Sequence, residues 1–103
     1  MKFQDKVVVI TGGSRGIGRA IATEFSSLGA KVVIISINQS SLDKAADYIK
    51  KETSNECAIF RGDVSNMLEM RKIFTAINSK FGRLDVLVNC AGINIRKNIF
   101  ETT

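Results

Sequence analysis

The chain has 103 residues, which allows one domain at most and a single modest core. With 45% hydrophobic and 24% charged residues it reads as globular and water-soluble, and no apolar run approaches the ~20 residues needed to span a bilayer. The net charge of +5 is dispersed, with Lys44, Lys50, Lys51, Lys72 and Lys80 placed where helices face solvent, so neither nucleic acid nor membrane is an expected partner.

Two cysteines, Cys57 and Cys90, match no zinc spacing, and the chain contains no histidine. They read as reduced, buried thiols, and no metal site is expected. Without histidine, Ser–His and Cys–His nucleophiles are excluded within these residues. The N-terminal stretch "MKFQDKVVVI" lacks the features of a secretory signal, so a cytoplasmic location is expected.

Taken in order, "KVVVI" (6–10) is a short β-branched run that suits a strand covered on both faces. A glycine turn follows. From Ile17 the period becomes helical, with Ile17, Ile21, Phe25 and Leu28 on one face, and Gly29 ends the helix. A second strand is expected at 31–35 and a second helix at 40–52, with Leu42, Ala45, Ala46 and Ile49 inward and a serine as its cap. The third strand is 57–61. Asn66 and Glu69 then have capping-box spacing before a helix that buries Leu68, Ile73, Phe74, Ile77 and Phe81 and stops at Gly82. The fourth strand is 84–89.

The order β-α-β-α-β-α-β implies an α/β fold: a Rossmann-like, doubly wound parallel sheet with strand order 3-2-1-4. The first and fourth strands are then neighbours. The turn after one and "NCAG" (89–92) after the other meet on one rim.

Gly12, Gly16 and Gly18 form G-x-x-x-G-x-G in "TGGSRGIG" (11–18). Gly12 would turn the chain out of the strand, Gly16 would admit a diphosphate against the backbone, and Gly18 would let the helix pack closely. A helix starting there presents free N–H groups and its positive dipole end. A tight turn without a ligand is the plainer alternative. The spacing is not the usual G-x-G-x-x-G, and in a P-loop alignment Arg19 and Ala20 replace the lysine and the magnesium-binding hydroxyl.

T-G-x-x-x-G-I-G, then "GDVS", "FGRLDVLVN" and "NCAG", resemble the short-chain dehydrogenase/reductase family across essentially the whole chain. The resemblance implies that Gly12, Gly16 and Gly18 cradle the pyrophosphate of a nicotinamide dinucleotide, with the Ile17 backbone facing it. Ser14 and Arg15 would lie near the adenosine ribose. Asp63 would accept from the adenine amino group, with the Val64 amide beside it. Asn89, Ala91 and Gly92 would back the nicotinamide ribose, and Thr11 would tie the first strand to that turn. Cys90 stands where the family usually has a second asparagine. Without the family, Asp63 reads as a cap or turn aspartate and Asn89 as a turn residue.

The ribose 2′ position is read near the end of the second strand, about 20 residues past the glycines. Here "SINQS" (36–40) holds no acid; Ser36, Asn38 and Ser40 are neutral, and Arg15 suits a phosphate. NADP(H) is therefore favoured, with NAD(H) as the alternative. Ile37 occupies the place where the family often has a second basic residue.

The resemblance implies hydride transfer between the nicotinamide and a small alcohol or carbonyl substrate, of sugar, polyol or 3-oxoacyl type. It also implies a homo-oligomer for the complete protein. The proton-handling serine and Tyr-x-x-x-Lys pair would lie beyond Thr103. Tyr48 is followed at the lysine position by Glu52, so no catalytic residue is assigned here. Residues 1–103 read as the cofactor-binding portion of a larger domain, and a non-catalytic dinucleotide-binding module is the alternative. The exposed "VLV" (86–88) edge is expected to self-associate if left uncovered.

Overall fold

The computed structural model describes residues 2–90. Its strands are β1 (Val7–Thr11), β2 (Lys31–Ser36), β3 (Cys57–Arg61) and β4 (Val86–Asn89). Its helices are α1 (Gly16–Ser27), α2 (Gln39–Thr53) and α3 (Met67–Phe81). All strand pairs are parallel, in the order β3-β2-β1-β4. This is the expected partial Rossmann-like sheet.

The apolar runs of β1 and β2 are buried on both faces, because helices cover both. Val8, Ile10, Val32 and Ile34 pack with Ala22 of α1 and Leu42, Ala45 and Ile49 of α2. Val7, Val9, Val33 and Ile35 pack with Ile73 and Ile77 of α3. Each Val, Leu or Ile side chain among them contributes about 1.5–3 kcal/mol on burial.

Several local expectations need correction. The helix α2 is capped by Asn38, not by a serine: Asn38 Oδ1 accepts from the Ser41 N–H at 2.9 Å. In α3, Leu68 is 63% exposed, and Met70 packs against the core instead. Ile17, in the first turn of α1, is 67% exposed. The buried stripe of α1 is Gly18, Ala22 and Ser26, small residues that permit close approach. Ser26 Oγ pairs with Thr53 Oγ1 at 3.0 Å, joining α1 to α2.

Asn66 caps α3 as expected, its Oδ1 accepting from the Glu69 N–H at 3.0 Å. Glu69 returns the contact differently from a full capping box: Oε1 accepts from the Asp63 N–H at 3.0 Å. Gly82 closes α3 in the left-handed region, φ 73°.

The strand β4 begins two residues later than expected, after Asp85. That residue's N–H donates to Val7 O at 2.9 Å, and its carboxylate accepts from Val7 N–H at 2.8 Å. Arg83 grips the same carboxylate with two N–H groups, both at 2.8 Å. The Arg83 guanidinium, then the Val7 N–H, hold the Asp85 carboxyl below its usual range. Among the described residues β4 is an edge, and Leu87 on it is 54% exposed.

Both cysteines are free and half-buried rather than fully buried. Burial, with the nearby Glu56 charge adding, pushes the Cys57 thiol up to about 12. Its thiolate fraction at pH 8 is then only about one part in 10,000. Cys57 is therefore expected to resist a thiol-specific disulfide reagent at pH 8 until the protein is denatured, which a stopped titration of free thiols checks. Because the folded value lies above the unfolded one, this group's effect on stability is absent below the unfolded pKa, about 8.5. It becomes a loss as pH rises through the interval up to about 12.

Candidate dinucleotide site at the carboxyl rim of the sheet

The parallel pairing brings four strand ends to one rim. At the centre, β1 ends in Thr11 and the chain turns through Gly12, φ 73°, whose N–H donates to Ile35 O at 2.7 Å. Gly13 lies on the core: a Cβ there would stand 2.8 Å from Ile10 Cγ2 and 3.2 Å from Ile34 Cγ2. Sequence reasoning passed over Gly13, since only the packing beneath it shows why a side chain is excluded.

Ser14 is 4% exposed, and its Oγ donates to Ser36 Oγ at 3.0 Å. The link ties the glycine turn to the end of β2. Arg15 is exposed, in extended conformation at the N-cap of α1, and its side chain makes no cap hydrogen bond. Gly16 has φ 54°, and a Cβ there would meet nothing within 4 Å. Gly18 is the opposite case: a Cβ would lie 2.6 Å from both Gly12 O and Gly13 Cα. The close packing expected of Gly18 is therefore against the turn itself. The first N–H groups of α1 open beside Gly16, where an anionic group can approach the backbone.

On one side of this turn, Thr11 Oγ1 donates to Asn89 Oδ1 at 2.8 Å, and Cys90 N–H donates to Thr11 O at 2.9 Å. The expected tie between the first and fourth strands is thus present. Ala91 and Gly92 lie outside the described residues.

On the other side, Ser36 Oγ also accepts from the Asn38 N–H at 3.4 Å, while the Asn38 carbonyl oxygen is committed to the α2 cap. Beyond it, Gly62 N–H donates to Ser36 O at 2.9 Å and leads into Asp63 and Val64. Asp63 Oδ1 accepts from Ser65 Oγ at 2.7 Å and Ser65 N–H at 2.9 Å. The Ser65 hydroxyl and then its amide hold the Asp63 carboxyl below its ordinary value, so it is an ionised acceptor at neutral pH. Val64 is exposed.

Tyr48 lies on α2, with the Arg19 guanidinium 4.9 Å from its ring centroid. A depression of about 620 Å³ lies at the opposite, amino end of the sheet, lined by residues including Gly29, Lys31, Cys57 and Phe81. It shares no residue with the rim, and ligands of open α/β sheets bind outside the strands' carboxyl ends. Among the described residues no group of three or more acids and cysteines is placed to hold a metal, and no helix is long and apolar enough to cross a membrane.

The fold and the spaced rim motifs define a class, and the family model for short chain dehydrogenase matches residues 6–103. The chain belongs to the short-chain dehydrogenase family. It is 38% identical over 103 residues to meso-2,3-butanediol dehydrogenase of Serratia marcescens and 43% identical over 103 residues to an uncharacterized oxidoreductase of Thermotoga maritima. It covers 40% of the length of each, so the chain spans well under half of these relatives. Among solved structures it is similar to L-sorbose reductase of Gluconobacter frateurii complexed with NADPH and L-sorbose. The TM-score is 0.83 at 34% identity, over 98% of this chain and 38% of that one. NAD+-bound xylitol dehydrogenase is similar with TM-score 0.79 at 25% identity, over 84% of this chain and 33% of that one.

Proposed function

We propose that this chain is the cofactor-binding portion of a larger domain in an NAD(P)(H)-dependent oxidoreductase. The reaction is hydride transfer between the nicotinamide and an alcohol or carbonyl substrate. The observation that carries this reading is the open N-terminal turn of α1: Gly16 leaves the backbone bare, and Gly18 clamps the helix onto Gly12 and Gly13. That cradle fits a diphosphate. The α1 N–H groups would hold the pyrophosphate. Arg15 and Ser36 would face the adenosine ribose, Asp63 and the Val64 amide the adenine, and Asn89, with Ala91 and Gly92, the nicotinamide ribose. When bound, the nicotinamide supplies the hydride acceptor or donor.

Within these residues no group is assigned to proton exchange. Tyr48 is engaged by Arg19, and its i+4 neighbour is Glu52. We infer from the family resemblance that the proton-handling groups of the reaction would lie beyond residue 103. A dinucleotide-binding module without catalysis is the alternative reading. Turnover of NADPH with a panel of carbonyls by the full-length protein decides between the two. Relatives named for a butanediol, L-sorbose and xylitol support a small polyol or keto-sugar substrate.

NADP(H) is the favoured cofactor, since residues 36–40 carry no acid and Arg15 is exposed at the rim. The Arg15→Ala variant of the full-length protein is expected to weaken NADPH binding by about tenfold or more, as loss of a charge-assisted hydrogen bond does. NADH binding should change little. Calorimetric titration of both cofactors checks this, and an unchanged preference removes the role given to Arg15.

A further inference from the structure

The rim carries a second arginine that the linear order of residues conceals. Arg61 ends β3 and is the register partner of Ser36 at the end of β2. Cys57 and Ile59 pack with the α1 and α2 side of the core, as do Val32 and Ile34 of β2. By strand alternation Arg61 and Ser36 leave the sheet on that same side. Ser36 is there joined to Ser14 through their hydroxyls at 3.0 Å, directly before Arg15. Neighbouring strands stand only about 4.8 Å apart, well within the length of an arginine side chain.

Arg61 is exposed and, among the described residues, has no hydrogen bond, ion pair or ring contact from its side chain. Asp63, two residues further on, has its Oδ1 held by the Ser65 hydroxyl and amide. Arg19 and Arg83, by contrast, are committed to the Tyr48 ring and to Asp85. The rim therefore holds two unengaged guanidiniums, Arg15 and Arg61, flanking a pair of hydroxyls with no carboxylate among residues 36–40.

We propose that Arg61 is a specificity-determining residue that, together with Arg15, clamps the 2′-phosphate of the adenosine ribose from the β3 side. Arg61 supplies the second positive charge that Ile37 does not. The inference rests on the dinucleotide reading above and names the ligand group that the β2–β3 side of that site selects. A guanidinium suits it because its planar fork can give two parallel N–H bonds to phosphate oxygens.

The test uses the full-length protein and four probes: NADPH, NADH, 2′,5′-ADP and 5′-AMP. Arg61→Ala should weaken NADPH and 2′,5′-ADP by about tenfold and NADH and 5′-AMP by less than about twofold. Arg61→Lys should recover part of the loss, because it keeps the charge and gives up the fork. The advantage of 2′,5′-ADP over 5′-AMP should also shrink with added salt more steeply in the wild type than in Arg61→Ala. An unchanged thermal midpoint confirms that each variant is folded. If the wild type prefers NADPH and Arg61→Ala keeps that preference intact, the Arg61 clamp is overturned and the dinucleotide reading stands. If the wild type binds NADH as well as NADPH, the phosphate selection fails while dinucleotide binding survives. If neither dinucleotide binds, both fall.

Discussion

Gly18→Val is expected to abolish measurable dinucleotide binding and to lower stability by about 1–3 kcal/mol at the least. The two backbone atoms a side chain would meet there, Gly12 O and Gly13 Cα, are each 2.6 Å from an ideal Cβ. Neither can yield as a side-chain tip can. The helix α1 must move away from the turn, and with it the N–H groups proposed to face the diphosphate. Alanine's better helix propensity, about 1 kcal/mol over glycine, offsets only part of such a clash, so Gly18→Ala should also be impaired. Gly16→Ala makes the informative contrast. A Cβ there meets nothing within 4 Å, so the cost to the free protein is the left-handed backbone alone, φ 54°. That strain is about 1–2 kcal/mol. Chemical denaturation and calorimetric titration with NADPH, run on all three variants, separate damage to the turn from damage to the ligand's approach. Gly62 differs again: a Cβ there would press on Ile73 Cδ1 and Met70 Cε, which are the mobile ends of flexible side chains.

Ile34→Ala should cost about 2–5 kcal/mol. Ile34 is fully buried in the strand at the middle of the sheet, among Ile10, Ala22, Leu42 and Ala45. A domain has only about 5–15 kcal/mol of net stability, so this one truncation removes a large share. The change also reaches the site. Ile34 Cγ2 lies just under Gly13, and the Gly12 N–H is held by the next residue's carbonyl, Ile35 O, at 2.7 Å. With the support beneath it gone, the glycine turn loosens. NADPH affinity should fall along with the denaturation midpoint, even though Ile34 does not face the ligand. A lowered midpoint with unchanged NADPH affinity would show that the turn is held from above, by Ser14 and Ser36, and not by the core.

Much of the candidate site is legible in the chain because its chemistry is local. The turn after a β-branched run needs glycines where φ is positive, and Gly12 and Gly16 have φ of 73° and 54°. Asn66 three residues before Glu69 announces a helix start wherever the chain goes next, and Gly82 announces its end. The misreadings have different causes. Leu68 lies on the face of α3 opposite the buried Ile73 and Ile77, about 180° from Ile77 at about 100° per residue, whereas Ile17 continues the stripe of Ile21 and Phe25 yet is exposed in the first turn of α1. Periodicity reports which residues share a helix face. It does not report how far along the helix the neighbouring layer extends. The α2 cap went to Asn38 rather than a serine, since the helix starts at Gln39, one residue earlier than the serines suggested.

The sequence by itself determined the kinds of element, their order and the glycine turn after the first strand, because propensity, periodicity and glycine conformation act over a few neighbouring residues. Register was decided only when strands distant in the chain paired. Thr11 meets Asn89 across 78 positions, and Ser14 meets Ser36 across 22. Arg61 stands beside Ser36 for the same reason. A shift of one residue between β2 and β3 would turn Arg61 toward α3 and away from the nucleotide rim. Cys57 and Ile59 pack on the α1–α2 side and Ala58 and Phe60 on the α3 side, so the packing of β3 sets which charges the rim presents.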